Sequence, residues 1–206
     1  MNTSVILVVS NNQKNIVQSV VSVLEGTVKP ENLCIVFNNT TTDNQWETSK
    51  AFFRSCCGGG YDEEYTNDAT IITKKDYGLT LTGIKLNKLF DQELKNYAVN
   101  YLYDNTDIFF TLSAGSEYKP NFIERSLEYL KDNMIGGCYS DYIENQKYIC
   151  LSSMKIGLDH QVPVKEFGFK KALAARTPFK TDNFNLLTEL YTKSVIRHIP
   201  EALFVV

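Results

Sequence analysis

The sequence predicts an α/β fold with one mixed, mostly parallel sheet flanked by helices, and three observations carry that reading. Residues 4–37 spell strand, helix, strand with short connections, as a parallel βαβ unit requires. Ile108-Phe109-Phe110-Thr111-Leu112 is a short, continuous run of β-branched and aromatic residues, suited to a strand buried on both faces. Ser113-Ala114-Gly115-Ser116 then turns the chain, and Pro120 opens a helix over 121–131 with apolar Phe122, Ile123, Leu127 and Leu130 at helical spacing.

The totals agree. The chain has 206 residues, 43% hydrophobic and 22% charged, enough for one domain (1–206) with a substantial core. A net charge of −3 offers no global attraction to nucleic acid or an anionic membrane. No apolar run approaches the roughly 18–20 residues that span a bilayer. The opening MNTSVILVVSNN lacks a basic n-region and a cleavage site, and five cysteines show no framework spacing. Reduced thiols and a cytoplasmic location are the expectation.

Taken in order, Ser4 to Val9 is a strand ending at Ser10-Asn11-Asn12. Ile16, Val17, Val20, Val21 and Leu24 share one helix face, which Gly26 and Pro30 close. Leu33 to Phe37 is the next strand, followed by the polar cluster Asn38-Asn39-Thr40-Thr41-Thr42-Asp43. Trp46 to Phe53 predicts a short helix, 56–65 a glycine-rich loop, and Ala69 to Thr73 a small strand. Lys74 to Gly78 leads into a helical region that includes Ile84 to Leu89. Leu94, Ala98, Tyr101 and Leu102 mark a helix over the sheet. Ile135 to Tyr142 and Tyr148 to Leu151 read as a hairpin turning at Glu144-Asn145-Gln146. Residues 157–181 are irregular and carry Lys165, Lys170, Lys171, Arg176 and Lys180. A helix opens at Thr181-Asp182, and His198 to Leu203 forms a closing strand.

In open α/β sheets, ligands sit beyond the carboxyl ends of the strands, so the polar turns there are the first candidates for chemistry. Asn side chains offer both donors and acceptors to a base edge or a ribose hydroxyl, although Asn and Thr also simply make good turns. Asp182 by itself reads as a helix N-cap.

These residues resemble the family 2 glycosyltransferases, inverting nucleotide-sugar enzymes of the GT-A (nucleotide-diphospho-sugar transferase, Rossmann-like) fold. Their central strand ends in Asp-Ala-Asp-Asp, three variable residues, Pro and then Leu-Glu; Pro120 and Ile123-Glu124 fall in register with that ending. Ser10-Asn11-Asn12 stands where the family has Pro-Thr-Tyr-Asn, and Phe37 to Asp43 where it has Val-Asp-Asp-Gly-Ser-Thr-Asp. Asp182 falls in the family's Glu-Asp-Tyr-Asp-Leu, and Ile199-Pro200-Glu201 with Leu203 matches Ile-Pro-Glu-x-Leu. The resemblance implies donor contacts from Ser10, Asn12, Asn38, Asn39, Asp43, Ser113, Ala114 and Gly115, with Lys75, Asp76 and Lys85 at the diphosphate edge. It implies Asp182 as general base. Asp141, His160, Lys171 and Arg176 are candidates for the acceptor or diphosphate side.

The departure is the turn itself, because Ser113 and Gly115 replace the aspartates that hold a divalent cation (Mn²⁺ or Mg²⁺) in the family. Three alternatives stand open. Glu117, Asp141 or Asp76 holds the metal from another position; a cation such as Lys75 or Arg176 offsets the leaving group's charge without metal; or the chain binds donor and catalyses nothing. The expected partner is a nucleotide sugar, and the acceptor is a glycan, a lipid head group or a hydroxylated base in DNA. A nucleotidyltransferase would want a glycine-rich phosphate loop after the first strand, and Ser10 to Lys14 has no glycine.

Overall fold

The computed structural model describes residues 1–9, 16–37, 43–56, 60–76, 78–87, 94–151, 166–171 and 195–206. Eleven strands form one sheet: β1 (Thr3–Val9), β2 (Asn32–Phe37), β3 (Asp62–Tyr65), β4 (Ala69–Asp76), β5 (Leu79–Leu86), β6 (Ile108–Ser113), β7 (Glu117–Tyr118), β8 (Ile135–Glu144), β9 (Lys147–Ile149), β10 (Phe167–Lys170) and β11 (Val195–Val205). Their order is β3-β4-β5-β2-β1-β6-β10-β8-β11-β7, with β9 paired to β8. Among the described residues four α-helices flank it: α1 (Ile16–Leu24), α2 (Asp43–Cys56), α3 (Leu94–Leu102) and α4 (Phe122–Leu130).

The centre is the expected parallel set, with β1 between β2 and β6. Val5, Ile6, Leu7, Leu33, Ile35, Phe109, Phe110 and Leu112 are at most 1% exposed, so these strands are covered on both faces, and that is why their sequences run apolar without alternation. Each such side chain stabilises the fold by about 1.5–3 kcal/mol relative to exposure. On α4, Phe122, Ile123, Ser126 and Leu130 turn inward together. The Phe122 ring lies against Tyr118, Phe110 and Phe204, tying helix to sheet.

Away from the centre the sheet is not mostly parallel. Six of the ten strand pairings are antiparallel, because β3-β4-β5 is a meander, β10 inserts between β6 and β8, and β7 and β9 fold back. The helical stretch expected at Ile84 is strand β5, parallel to β2 and antiparallel to β4. Its apolar residues suit both periods, but Thr80 and Thr82 are β-branched, and Gly83 lets the Ile72 side chain approach to 2.8 Å from where a Cβ would stand. Within the expected glycine-rich loop, Asp62 to Tyr65 pairs as an exposed edge strand whose three acids discourage further pairing. Within the stretch read as irregular, Phe167 to Lys170 forms β10.

The hairpin β8–β9 is as expected. Its turn residues Asn145 and Gln146 both have positive φ (49° and 63°), the twist a two-residue hairpin needs. Ile199-Pro200-Glu201 has a structural explanation: β11 bulges there, with Ile199 opposite Ser140 and Ala202 opposite Asp141, so Pro200 sits where the ladder is already broken. Glu201 Oε1 accepts from both Nε and Nη2 of Arg125 on α4. Among the described residues no helix is long and apolar enough to cross a membrane.

Candidate functional site

Strand direction decides which residues can meet. β1, β2, β5 and β6 run parallel, so Val9, Phe37, Leu86 and Ser113 end on one edge of the sheet. There Lys85 is paired with Phe37. Helices α1 and α2 start from this edge, because each follows a strand that ends there. α3 leads back to the start of β6, so its first turn, with Leu94 and Lys95, also faces this edge. Helix N-termini carry partial positive charge and suit anions.

The Ser113–Ser116 turn is held from two sides. The Ala114 N–H donates to the Val8 carbonyl (2.9 Å) and the Ser116 N–H to the Ser113 carbonyl (3.0 Å). From α1, the buried Ser19 hydroxyl donates to the Ser116 carbonyl (2.7 Å) and accepts the Gly115 N–H (3.0 Å). Gly115 has φ +94°, and an added Cβ would meet no atom within 4 Å. Glycine is therefore required by backbone conformation and not by space.

On the other side stands Glu166, which the sequence reading did not single out. It immediately precedes β10 and is 0% exposed. Its Oε1 accepts the Ser113 N–H at 2.7 Å, while Oε2 is buried without a hydrogen-bond partner among the described residues. Burial pushes the carboxyl up to about 7, against the opposing pull of the Lys95 charge and the Ser113 hydrogen bonds. Burial in turn lowers the Lys95 ammonium, and Glu166 works against that. A buried carboxyl thus stands beside the turn with its pKa raised, and the Lys95 charge of α3 acts on it.

Asp141 is at the same edge. Gly168 of β10 pairs with Phe110 on one side and Cys138 on the other, so Asp141 is level with Ser113, two strands or about 10 Å away. It is 1% exposed and fully engaged. Oδ1 accepts from the Leu151 N–H (2.6 Å) and is 2.7 Å from His198 Nε2, while Oδ2 accepts from the Tyr148 hydroxyl. Burial alone would raise its pKa, but the hydrogen bonds from Tyr148, His198 and Leu151 together outweigh it and hold the carboxyl below its usual range. Asp141 thus ties β8 to β9 and β11. Glu117 is half-buried in β7. Among the described residues no three His, Cys, Asp or Glu side chains gather as a metal site. The turn Ser113–Ser116 itself carries no carboxylate to hold a divalent cation.

Two expected groups are placed elsewhere. Lys75 is level with Thr80 and Asp76 with Leu79, and Thr80 pairs with Asn32 at the start of β2, so both lie at the opposite edge of the sheet. Strand β5 reverses the chain between them and Lys85. Lys171 is also at that opposite edge: its N–H donates to the Asp107 carbonyl (2.8 Å), and its ammonium lies 4.3 Å from the Tyr103 ring centroid. Lys170 donates to the Asp132 carbonyl (2.6 Å). Ser10, Asn12, Asn38, Asn39, His160, Arg176 and Asp182 lie outside the described residues, and Asp43 is described only as the first residue of α2. Glu166 and Lys95 gave little signal in sequence; a lone acid ahead of Phe-Gly-Phe and a lone lysine in a helix are ordinary surface patterns.

No protein-family model matches the sequence, and no curated protein does. Solved structures do. The chain aligns over its full length with S. aureus TarS 1–349 in complex with UDP-GlcNAc, at TM-score 0.72 and 12% identity, covering 58% of that chain. The TarS complex with UDP gives TM-score 0.69 at 12% identity, with 100% of this chain and 60% of that one covered. The mannosyltransferase PcManGT from Pyrobaculum calidifontis, in complex with GDP-Man and Mn²⁺, gives TM-score 0.65 at 13% identity, with 100% and 56% covered. The chain thus spans well under two thirds of each of these structures. At such identities the likeness is one of architecture: the chain has the GT-A fold.

Proposed function

We propose that the chain transfers a sugar from a nucleotide-sugar donor to an acceptor hydroxyl, with inversion at the anomeric carbon. The observation that carries this reading is the full-length match to a structure holding UDP-GlcNAc, combined with a tight turn of small and polar residues at the carboxyl end of β6.

The donor's base and ribose lie against the ends of β1 and β2, where Ser10, Asn12, Asn38, Asn39 and Asp43 follow, and its sugar lies toward Ser113–Gly115. Asp182 takes the proton of the acceptor hydroxyl as that oxygen attacks the anomeric carbon. The bond from that carbon to the diphosphate oxygen breaks, and nucleoside diphosphate leaves with the electron pair. Lys85, Lys95 and the helix N-termini offset its charge in place of a carboxylate-held cation. Lys95, its ammonium disfavoured by burial, gains most from an arriving diphosphate. His160 and Arg176 serve the acceptor or the diphosphate side, and the acceptor is a glycan, a lipid head group or a hydroxylated base in DNA.

The second reading is a GT-A protein that binds donor and transfers nothing, favoured by the loss of both turn carboxylates. Turnover of a panel of UDP- and GDP-sugars separates the two. Asp182→Asn is expected to lower turnover at least about 100-fold, with an unchanged melting temperature, and chelator is expected to leave the wild type unaffected. Unchanged turnover in Asp182→Asn overturns the base assignment. Loss with chelator and recovery with Mn²⁺ overturns the metal-free leaving group, and donor binding without any turnover favours the second reading.

A further inference from the structure

We propose that the opposite edge of the sheet carries a second site, a polar cleft that binds a neutral oligosaccharide. The cleft has a volume of about 550 Å³ and is walled by Asn2 just ahead of β1, by Glu31 and Asn32 at the start of β2, by Lys75 and Thr80 of the β4–β5 hairpin, and by Tyr101 and Asn105 at and just beyond the end of α3. That volume falls within the range of about 300–1,000 Å³ typical of small-molecule sites. The cleft is separate from the donor edge, because the six residues of β2 put about 20 Å between the two ends at about 3.3 Å per residue.

Its walls are fixed before any ligand arrives. Glu31 Oε2 accepts from the Thr3 N–H (2.6 Å) and the Thr3 hydroxyl (2.7 Å). The Asn32 amide donates to Ser4 Oγ (3.0 Å), which shares a 2.6 Å hydrogen bond with the Thr106 hydroxyl. The Thr106 hydroxyl also lies 2.9 Å from the Leu102 carbonyl. This chain of bonds ties β1 and β2 to the end of α3, so little ordering remains to be done on binding. It leaves Glu31 Oε1, Asn32 Oδ1 and the Lys75 ammonium without partners among the described residues.

The lining selects the ligand's chemistry. Amides and hydroxyls both donate and accept, as sugar hydroxyls do. The single carboxylate and the single ammonium offset one another, so net charge on a ligand gains nothing. With those two charges balanced, the last carbonyls of α3 leave a partial negative charge at the cleft, which disfavours phosphate. Tyr101 is 39% exposed and gives the rim an aromatic face for the apolar side of a pyranose ring. A neutral glycan satisfies all of these at once; a nucleotide does not. The site does not depend on the transferase reading, although a transferase would use it to hold the distal part of a glycan chain.

The test is an amide-resolved NMR titration of the full chain with maltotetraose, cellotetraose and chitotetraose, each to about 20 mM, since affinity near 1 mM (about −4 kcal/mol) suffices for a site of this kind. At least one should give saturable shifts at Asn32, Thr80 and Asn105, persisting under saturating UDP and weakened at least fivefold in Tyr101→Ala. Asn105→Ala, on the same wall, should weaken it as well while the melting temperature stays unchanged. Absence of saturable shifts with all three sugars overturns the proposal. So do shifts confined to Ser113–Gly115, shifts indifferent to Tyr101→Ala, or tighter binding of inorganic phosphate. Saturable shifts here with no UDP response at the β6 turn would sustain the cleft and sink the transferase reading alone.

Discussion

Asp141 on β8 and Glu166 just ahead of the neighbouring β10 are both buried carboxyls at the same edge of the sheet, and they are treated in opposite ways. Asp141 has three partners shared between its two oxygens, from β9, β11 and the chain just beyond β9, and stays ionised below the usual range. Among the described residues Glu166 Oε1 takes the Ser113 N–H and Oε2 has no partner, and burial lifts the carboxyl to about 7 against the pull of Lys95, Ser113 and Thr111. A buried polar group without partners costs stability, so one that persists needs a reason beyond packing. Asp141 contributes to holding the fold together. Glu166 weakens it while fixing the amide of the turn that the proposed donor sugar meets.

The sharpest way to break this contrast is Asp141→Ala, which strands the Tyr148 hydroxyl, the Leu151 amide and the His198 ring together. Removing one partner from a buried charged network typically costs about 3–5 kcal/mol, and denaturant midpoints at neutral pH should show a loss of that order. Because the Asp141 pKa is depressed, the wild-type advantage should fade as pH falls below the ordinary carboxylate range. A loss under about 1 kcal/mol would mean that the network is decorative.

Glu166→Gln should move stability the other way. The wild-type carboxyl has its pKa raised in the folded state, so its stabilising protonated form is lost as pH rises toward about 7. The amide mimics that form at every pH. A shift from 4.5 to about 7 corresponds to at most about 3 kcal/mol, so the variant should gain up to that much at pH 8 and nothing at pH 4. A gain equal at both pH values would show that ionisation is not the cause.

Tyr148→Phe is the mildest probe. Tyr148 is 55% exposed, so water can replace part of its bond to Asp141. The expected loss is about 1 kcal/mol, with the Tyr148 hydroxyl itself titrating near 12 in the wild type, held up chiefly by that carboxylate. Titration at an ordinary phenol value would deny the bond in solution.

The pattern of what sequence could reveal follows from range. β1, α1, β2, the 113–116 turn, α4 and the 145–146 hairpin were legible because each is specified by residues within one element or one turn. β5 was misread as helix because Leu79, Leu81, Ile84 and Leu86 fit either period, and only its neighbours β2 and β4 decide between them. That one error carried Lys75 and Asp76 to the wrong edge, since a hairpin in place of a strand–helix step reverses the direction of the chain. Asp141 looked available because its His198 partner is 57 residues away. Glu166 was invisible because its significance depends on Ser113, 53 residues earlier, and on a strand read as irregular.

The most direct test is an amide-resolved titration of the full chain with UDP and with GDP, repeated with chelator. Binding at the carboxyl edge should shift Ser113, Ala114, Gly115, Lys85 and Lys95 with or without metal, and leave Asn32 and Thr80 at the far edge unmoved. Silence at the β6 turn under both conditions, or shifts seen only at the far edge, would contradict a nucleotide-sugar site there.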